Sequence, residues 1–305
     1  MLQVIVFSFN RALQLDTLLS TMLEHWKHPD FDLSVVYNSS TNDFQKGYDL
    51  LINKMKDYSN IHFYKEQQPG DNLKMMDFLN IHNIKRLYEK KCLRHPKTNF
   101  RSLVINLMEN SSEKYIMFMT DDAMFIDDVN IDIDTMNWIL SNPIQNQYSL
   151  RVGKGMDDKN AIYEEHEDFI SWDFSKQDVT TNWGYCFSVD AHIYAKDTVL
   201  NLFKRNLFVN PNTLEGPVFG DAKRNGFLNC GRGPKHTLIL SFPINMVQTV
   251  DKNETLGIST VMMNQYYLDG YTMRYPIPEK ITHFQQYPES LFFYKNGKSE
   301  IKKMI

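Results

Sequence analysis

The chain has 305 residues, of which 42% are hydrophobic and 13% aromatic, with a formal charge of −4. That composition supports a sizeable core and excludes disorder, and the near-balanced charge leaves no electrostatic footprint for nucleic acid. The three cysteines, Cys92, Cys186 and Cys230, lie far apart without a CxxC pair, which excludes a zinc knuckle or disulfide framework and fits a reducing compartment.

Met1 to Phe7 runs straight into an apolar segment without the basic start of a secretion signal. No uninterrupted apolar run of about 18 residues occurs, so no membrane span is expected. The expected location is cytoplasmic. The aromatic and basic C-terminal tail (Phe292, Phe293, Tyr294, Lys295, Lys298, Lys302, Lys303) offers a peripheral contact at the inner membrane face. An ordinary solvated end is the plainer alternative.

In chain order, Gln3 to Phe9 reads as a buried strand. Leu13 to Trp26 follows as a helix with Leu15, Leu18, Leu19, Met22 and Leu23 at helical spacing. Leu33 to Tyr37 is a second strand, ended by Asn38-Ser39-Ser40-Thr41-Asn42. A helix over Asp43 to Tyr58 and a strand over Ile61 to Tyr64 come next. The polar, partly helical stretch from Glu66 to Pro96 reads as an insertion beside the active site. The pattern then predicts a helix over Asn99 to Ser112 and a strand ending at Asp121.

This alternation predicts an α/β fold with a mostly parallel sheet flanked by helices. Beyond Tyr148 the alternation breaks down. Tyr148 to Gly153 and Gly184 to Val189 look like strands between loops that build a second substrate's pocket. The Tyr-rich, Pro-punctuated section from Asn245 to Ile305 reads as a C-terminal lobe or wrap-around tail. The expected division is a catalytic unit over 1–244, split into halves 1–130 and 131–244, with a smaller extension over 245–305.

The segment Tyr115 to Phe125 holds the strongest chemical signal: an apolar run ends in Asp121-Asp122 and turns apolar again. Two acids at the mouth of a buried strand are costly without a compensating cation or hydrogen-bonding ligand. Ligands of open α/β sheets bind at the carboxyl ends of strands. A divalent metal carrying a diphosphate suits hard oxygen ligands there. One acid would take the metal and the other a ribose hydroxyl; the alternative is a simple Asp turn.

Ser8-Phe9-Asn10-Arg11 links the first strand to a helix. Helix-start N–H groups and the Arg11 charge suit phosphate, or Asn10 merely caps the helix. Asn38-Ser39-Ser40-Thr41 either binds a nucleoside or makes an Asx turn.

Taken together, SFNR after strand one, YNSST after strand two and TDD after a later strand resemble GT-A-type (Rossmann-like) glycosyltransferases, especially those of family 2. The resemblance covers roughly the first 130 residues. It implies a nucleotide-sugar donor held by the first two loops (Ser8, Asn10, Arg11, Asn38, Ser39). It further implies Mn2+ or Mg2+ on Asp122, with Asp121 at the ribose or diphosphate and His283 reaching the metal. Two departures stand out. Asn38 occupies a position where the family offers an acid, and the acidic motif reads Thr120-Asp121-Asp122 instead of Asp-x-Asp.

Asn182 to His192 and Asn210 to Gly216 resemble the acceptor half of sugar transferases. An inverting enzyme needs a carboxylate to take the acceptor hydroxyl proton, a contribution of about 10²- to 10⁴-fold. Glu215 is the candidate, against the alternative of a helix-start carboxylate, and Asp190 is the reserve. The acceptor implied is a saccharide or lipid-linked glycan. Trp183 and Tyr185 stack on sugar or belong to the core, and His192 and His236 are weaker contacts. Two alternatives share this first half. A sugar-phosphate nucleotidyltransferase should carry a Gly-rich loop that Ser8 to Ala12 lacks, and a non-catalytic nucleotide- or glycan-binding protein should lack the acidic pair. No GxGxxG follows a predicted strand, which excludes a Rossmann oxidoreductase.

Overall fold

The structure is a computed structural model that describes residues 1–156, 159–245 and 255–295, and the backbone of 298–302; the side chain of Met76 lies outside it. Lys303 of the predicted tail, and the side chains of Lys298 and Lys302, also lie outside the described residues.

The first part alternates as the sequence predicts. Strand β1 (Leu2–Phe9), helix α1 (Ala12–His25), β2 (Phe31–Asn38), α2 (Asn42–Met55) and β3 (Ile61–Lys65) come first. The insertion follows with α3 (Ile81–Glu89), and the chain returns through α4 (Phe100–Asn110) to β4 (Tyr115–Thr120). Then come α5 (Ile133–Ser141), β5 (Asn146–Ser149), β6 (Tyr163–Glu165), β7 (Ile170–Asp173), β8 (His192–Ala195), α6 (Lys196–Arg205), α7 (Pro211–Arg224), β9 (Cys230–Gly233) and α8 (Thr260–Leu268).

A nine-stranded sheet runs in the order β3-β2-β1-β4-β8-β5-β9-β7-β6. The pairings among β3, β2, β1 and β4 are all parallel, because each helical crossover returns the chain to the same end of the sheet. Beyond β4 the direction is mixed: β8 runs antiparallel to both β4 and β5, and only β9 with β5 is parallel. The parallel sheet expected from the sequence therefore describes the first half, and the whole is a large mixed sheet flanked by helices.

Register decides where chemistry gathers. Phe9 pairs with Asn38 and Phe7 with Thr120, so the loops after β1, β2 and β4 share one sheet edge. Alternation within β1 splits the core across the sheet: Val4 and Val6 join one cluster with α1 and α2, while Ile5 and Phe7 face Phe100, Val104 and Phe203. The C-terminal section packs onto the first of these. Tyr267, Met273, Tyr275, Phe284 and Phe293 share a cluster with Leu15, Leu18 and Leu19 of α1. Phe293 of the tail thus faces inward, and Lys295 lies 5.0 Å from the Tyr271 ring centre. Among the described residues, no helix is long and apolar enough to cross a membrane.

The strand expected over Gly184 to Val189 does not form. Asn182–Gly184 is a 3₁₀ turn, and the backbone beyond it is satisfied by side chains instead of a ladder. The Ser188 N–H donates to Tyr194 Oη (2.8 Å), which donates back to the Ser188 carbonyl (3.0 Å). The strand that pairs here is β8, a few residues later.

Candidate active site

Arg11 and Asp121 form the site's inner node. Asp121, 3% exposed, accepts from Ser8 Oγ (2.8 Å), the Phe9 N–H (3.2 Å) and Arg11 Nη1 (2.9 Å). Arg11 also reaches Asp122 at 3.4 Å and donates from Nε to Asn245 Oδ1 (2.6 Å) and from Nη2 to the Asn245 carbonyl. Ser8 hydrogen-bonds Tyr48 Oη (2.7 Å), which accepts the Arg11 N–H (3.2 Å). Burial, with help from the Asp122 charge, pushes Asp121 up to about 6 against the pull of Arg11. Burial alone would lower the Arg11 pKa, but Asp121 and Asp122 reverse that and raise it, so Arg11 remains a cation.

The outer node joins the two halves of the chain. Thr120 Oγ1 lies 2.8 Å from Asp122 Oδ1 and 2.7 Å from Asp190 Oδ1. Asp190 also meets Arg151 at 3.6 Å. Arg151 in turn donates to Ser188 Oγ (2.6 Å) and to Asn182 Oδ1, with its guanidinium 4.3 Å from the Phe284 ring centre. Glu215 Oε1 accepts the Val189 N–H at 3.0 Å, which ties helix α7 to the Ser188–Ala191 turn. That helix start is fixed by a capping box in which the Asn210 and Thr213 side chains take each other's backbone N–H. Burial first, then the Asp190 charge, pushes Glu215 up to about 7. Burial and the Asp122 charge also raise Asp190. Left-handed backbone flanks both nodes, at Asn10 (φ 58°) and Ala191 (φ 56°).

A third group lines the same edge. Asn10 exchanges bonds with Ser40, its Oδ1 accepting the Ser40 N–H and its Nδ2 donating to Ser40 Oγ, both at 2.8 Å. Ser39 Oγ donates to Gln45 Oε1 (2.9 Å). Asn38 Nδ2 donates to Glu66 Oε2 (3.4 Å), which also accepts from Thr98 Oγ1. Glu66, one residue past β3, thus brings a carboxylate to position 38, and burial raises its pKa.

The fold therefore gathers Ser8, Asn10, Arg11, Asn38, Ser39, Asp121, Asp122, Asp190 and Glu215 on one edge. His283 is exposed on a loop beside Phe284, and among the described residues no three His, Cys, Asp or Glu side chains form a ready metal cluster, there or elsewhere. His192 is a core residue bonded to Ser149 and Gln147, and its pKa is driven down by burial. Trp183 is core as well, its Nε1 donating to the Met156 carbonyl (2.7 Å). Sequence reasoning missed Thr120, Arg151, Asn245, Tyr275 and Glu66. Only Thr120, inside the acidic motif, had a local signal.

Four carboxylates (Asp121, Asp122, Asp190, Glu215) face two guanidiniums (Arg11, Arg151) across these nodes. That imbalance suits a divalent cation, and the carboxylates met by Thr120 are hard oxygen donors of the right kind. Two buried donors beside Arg11, Tyr275 Oη and Asn245 Nδ2, have no hydrogen-bond partner among the described residues, and such groups suit diphosphate oxygens.

No family model matches the chain. A curated relative, the bifunctional glycosyltransferase pgtA of Dictyostelium discoideum, is 22% identical over 245 residues, 70% of this chain. The chain spans about a quarter (27%) of that relative's length. Among solved structures, S. aureus TarS 1-349 in complex with UDP-GlcNAc is similar over 78% of this chain and 57% of its own, with 11% identity and a TM-score of 0.43. The mannosyltransferase PcManGT of Pyrobaculum calidifontis, in complex with GDP-Man and Mn2+, is similar over 77% and 54%, with 12% identity and a TM-score of 0.40. The chain is similar to glycosyltransferases.

Proposed function

We propose that the chain is a metal-assisted glycosyltransferase that moves a sugar from a nucleotide-sugar to an acceptor hydroxyl with inversion. The observation that carries this is the excess of carboxylates over guanidiniums where the first-half loops meet the Ser188–Ala191 turn. Asn10, Asn38, Ser39 and Glu66 border the nucleoside. Arg11, Asn245 and Tyr275 face the diphosphate, and Asp122 with Asp190 would hold Mn2+ or Mg2+. When bound, that cation neutralises the departing diphosphate.

The rest falls to the protein. Ser8 and the Phe9 N–H keep Asp121 in place, so its role is to aim Arg11 and not to touch the ribose directly. Glu215 takes the proton of the acceptor hydroxyl. The acceptor oxygen then bonds to the anomeric carbon, and the bond to the diphosphate oxygen breaks with its electron pair leaving on the nucleotide. A carboxyl near 7 is well matched to that transfer at neutral pH. A saccharide or lipid-linked glycan would be the acceptor. We assign residues 1–130 to the donor, 131–244 to the acceptor and 245–305 to an extension whose Tyr267, Met273 and Phe293 pack with α1.

A thermal-shift screen of UDP, GDP, UDP-GlcNAc and GDP-mannose, with and without Mn2+, on wild type and Asp122→Ala tests this. A Mn2+-dependent rise in Tm with one nucleotide, lost in the variant, supports the donor site. No shift with any of them sinks the transferase reading in favour of a non-catalytic protein.

A further inference from the structure

Residues 74–97, within the insertion between β3 and α4, have no part in the chemistry above, yet their composition sets them apart. Residues 74–97 hold seven Lys or Arg against two Asp or Glu, in a chain whose formal charge is −4. One of those acids is spent internally, since Asp77 is buried 3.0 Å from Arg101. The other, Glu89, lies 3.7 Å from Lys85. The same segment exposes Met75, Phe78, Leu79, Ile81, Ile84 and Tyr88, with Ile81 74% and Tyr88 87% exposed.

Helix α3 explains why these side chains face outward. Asn83 and Leu87 are its inner residues. Asn83 Nδ2 donates to the Arg205 carbonyl (2.9 Å), and its Oδ1 accepts the Leu207 N–H (3.0 Å). Leu87 packs with Leu93 and Leu207. Ile81, Ile84 and Tyr88, at i, i+3 and i+7, share the opposite face. That face is left over after the helix has been anchored, and exposed Lys85, Lys91, Arg94 and Lys97 surround it in sequence.

We propose that residues 74–97 are a docking face for an anionic phospholipid bilayer. A basic amphipathic helix sinks its apolar side chains below the headgroups while its cations meet lipid phosphates. A second copy of the chain is the poorer occupant, because a two-fold contact through this face sets like charges against each other. The location has a purpose. Arg86 Nη2 donates to the Thr213 carbonyl (2.8 Å) at the start of α7, the helix that carries Glu215. A bilayer on this face lies beside the acceptor side of the site. The inference does not depend on the catalytic reading, since binding to vesicles needs neither nucleotide nor turnover.

The test is co-sedimentation of the full chain with vesicles of phosphatidylcholine alone or mixed with phosphatidylglycerol. Binding to the mixed vesicles is expected, on the order of tenfold above the neutral ones and weakened by salt. Tyr88→Trp should show blue-shifted emission on the mixed vesicles, quenched by brominated lipid. Ile81→Glu with Ile84→Glu, at exposed positions that keep the same thermal melt, should abolish binding. Lys91→Glu with Arg94→Glu should weaken it about fivefold or more per charge. The proposal is overturned if wild type ignores the mixed vesicles, or if the Ile81→Glu, Ile84→Glu variant binds them undiminished. It is also overturned if wild type is a dimer that this variant splits while neither touches lipid.

Discussion

The two halves of the site are built by different means. In the first, Asn10, Asn38 and Asp121 stand at the ends of parallel strands, and the ladder that pairs Phe9 with Asn38 and Phe7 with Thr120 sets their positions. In the second, Asp190 stands on a turn to which Glu215 of α7 is bound, and the Ser188, Val189 and Asp190 N–H groups are held by the side chains of Tyr194, Glu215 and Ser188. Backbone registers are shared by many hydrogen bonds, so one loss is diluted. A side-chain-held turn concentrates its stability in a few groups. The acceptor half should therefore be the more fragile and the more easily retuned by mutation.

Glu215→Gln is the sharpest probe, with an expected loss of about 10²- to 10⁴-fold in turnover while donor binding persists. The wild-type rate should fall as pH drops through about 7, since the base must be unprotonated, and the variant should lack that limb. Stability should move the other way. The folded state holds this proton more tightly than the unfolded chain, so the group's stabilising contribution is complete below about 4.3 and lost as pH rises towards 7. At pH 8 the variant should melt about 2 °C above wild type.

Arg11→Ala leaves Asp121 buried with its cation gone and should cost about 3 kcal/mol by urea unfolding. A smaller cost would mean that Ser8 and the Phe9 N–H hold Asp121 unaided. Tyr194→Phe bears directly on the comparison. It removes both bonds to Ser188, and a cost of about 1–3 kcal/mol is expected, with a slower enzyme. Ser40→Ala, the matching loss in the ladder-held half, should cost under about 1 kcal/mol. Equal costs at the two positions would erase the distinction. Glu66→Gln is the mildest, with KM for the donor changed about fivefold or less and turnover kept.

What could be read from the sequence follows the same divide. The spacing of Leu15, Leu18, Leu19 and Met22, and the apolar runs before Asn38 and Asp121, are local patterns that match their elements within a few residues. They suffice to place the donor loops on one edge. Gly184 to Val189 has the composition of a strand, but Tyr194, six residues on from Ser188, diverts its backbone. Arg151, Asn245 and Glu66 were illegible because each reaches its partner across a long stretch of chain: Asn245 meets Arg11 and Glu66 meets Asn38 only after folding. His283 shows the reverse, a residue that family analogy marks and no local pattern secures.

The Thr120 hydroxyl has a single hydrogen, yet two carboxylate oxygens, on Asp122 and Asp190, lie within bonding reach of it. It can donate fully to only one of them, so the other oxygen calls for a shared proton or a cation. Burial and the Asp122 charge push the Asp190 pKa upward, the direction that favours such a proton. A cation that settled on both acids would displace whatever proton the pair then held. Metal uptake should then acidify the solution, by an amount that calorimetry in buffers of different ionisation enthalpy would count.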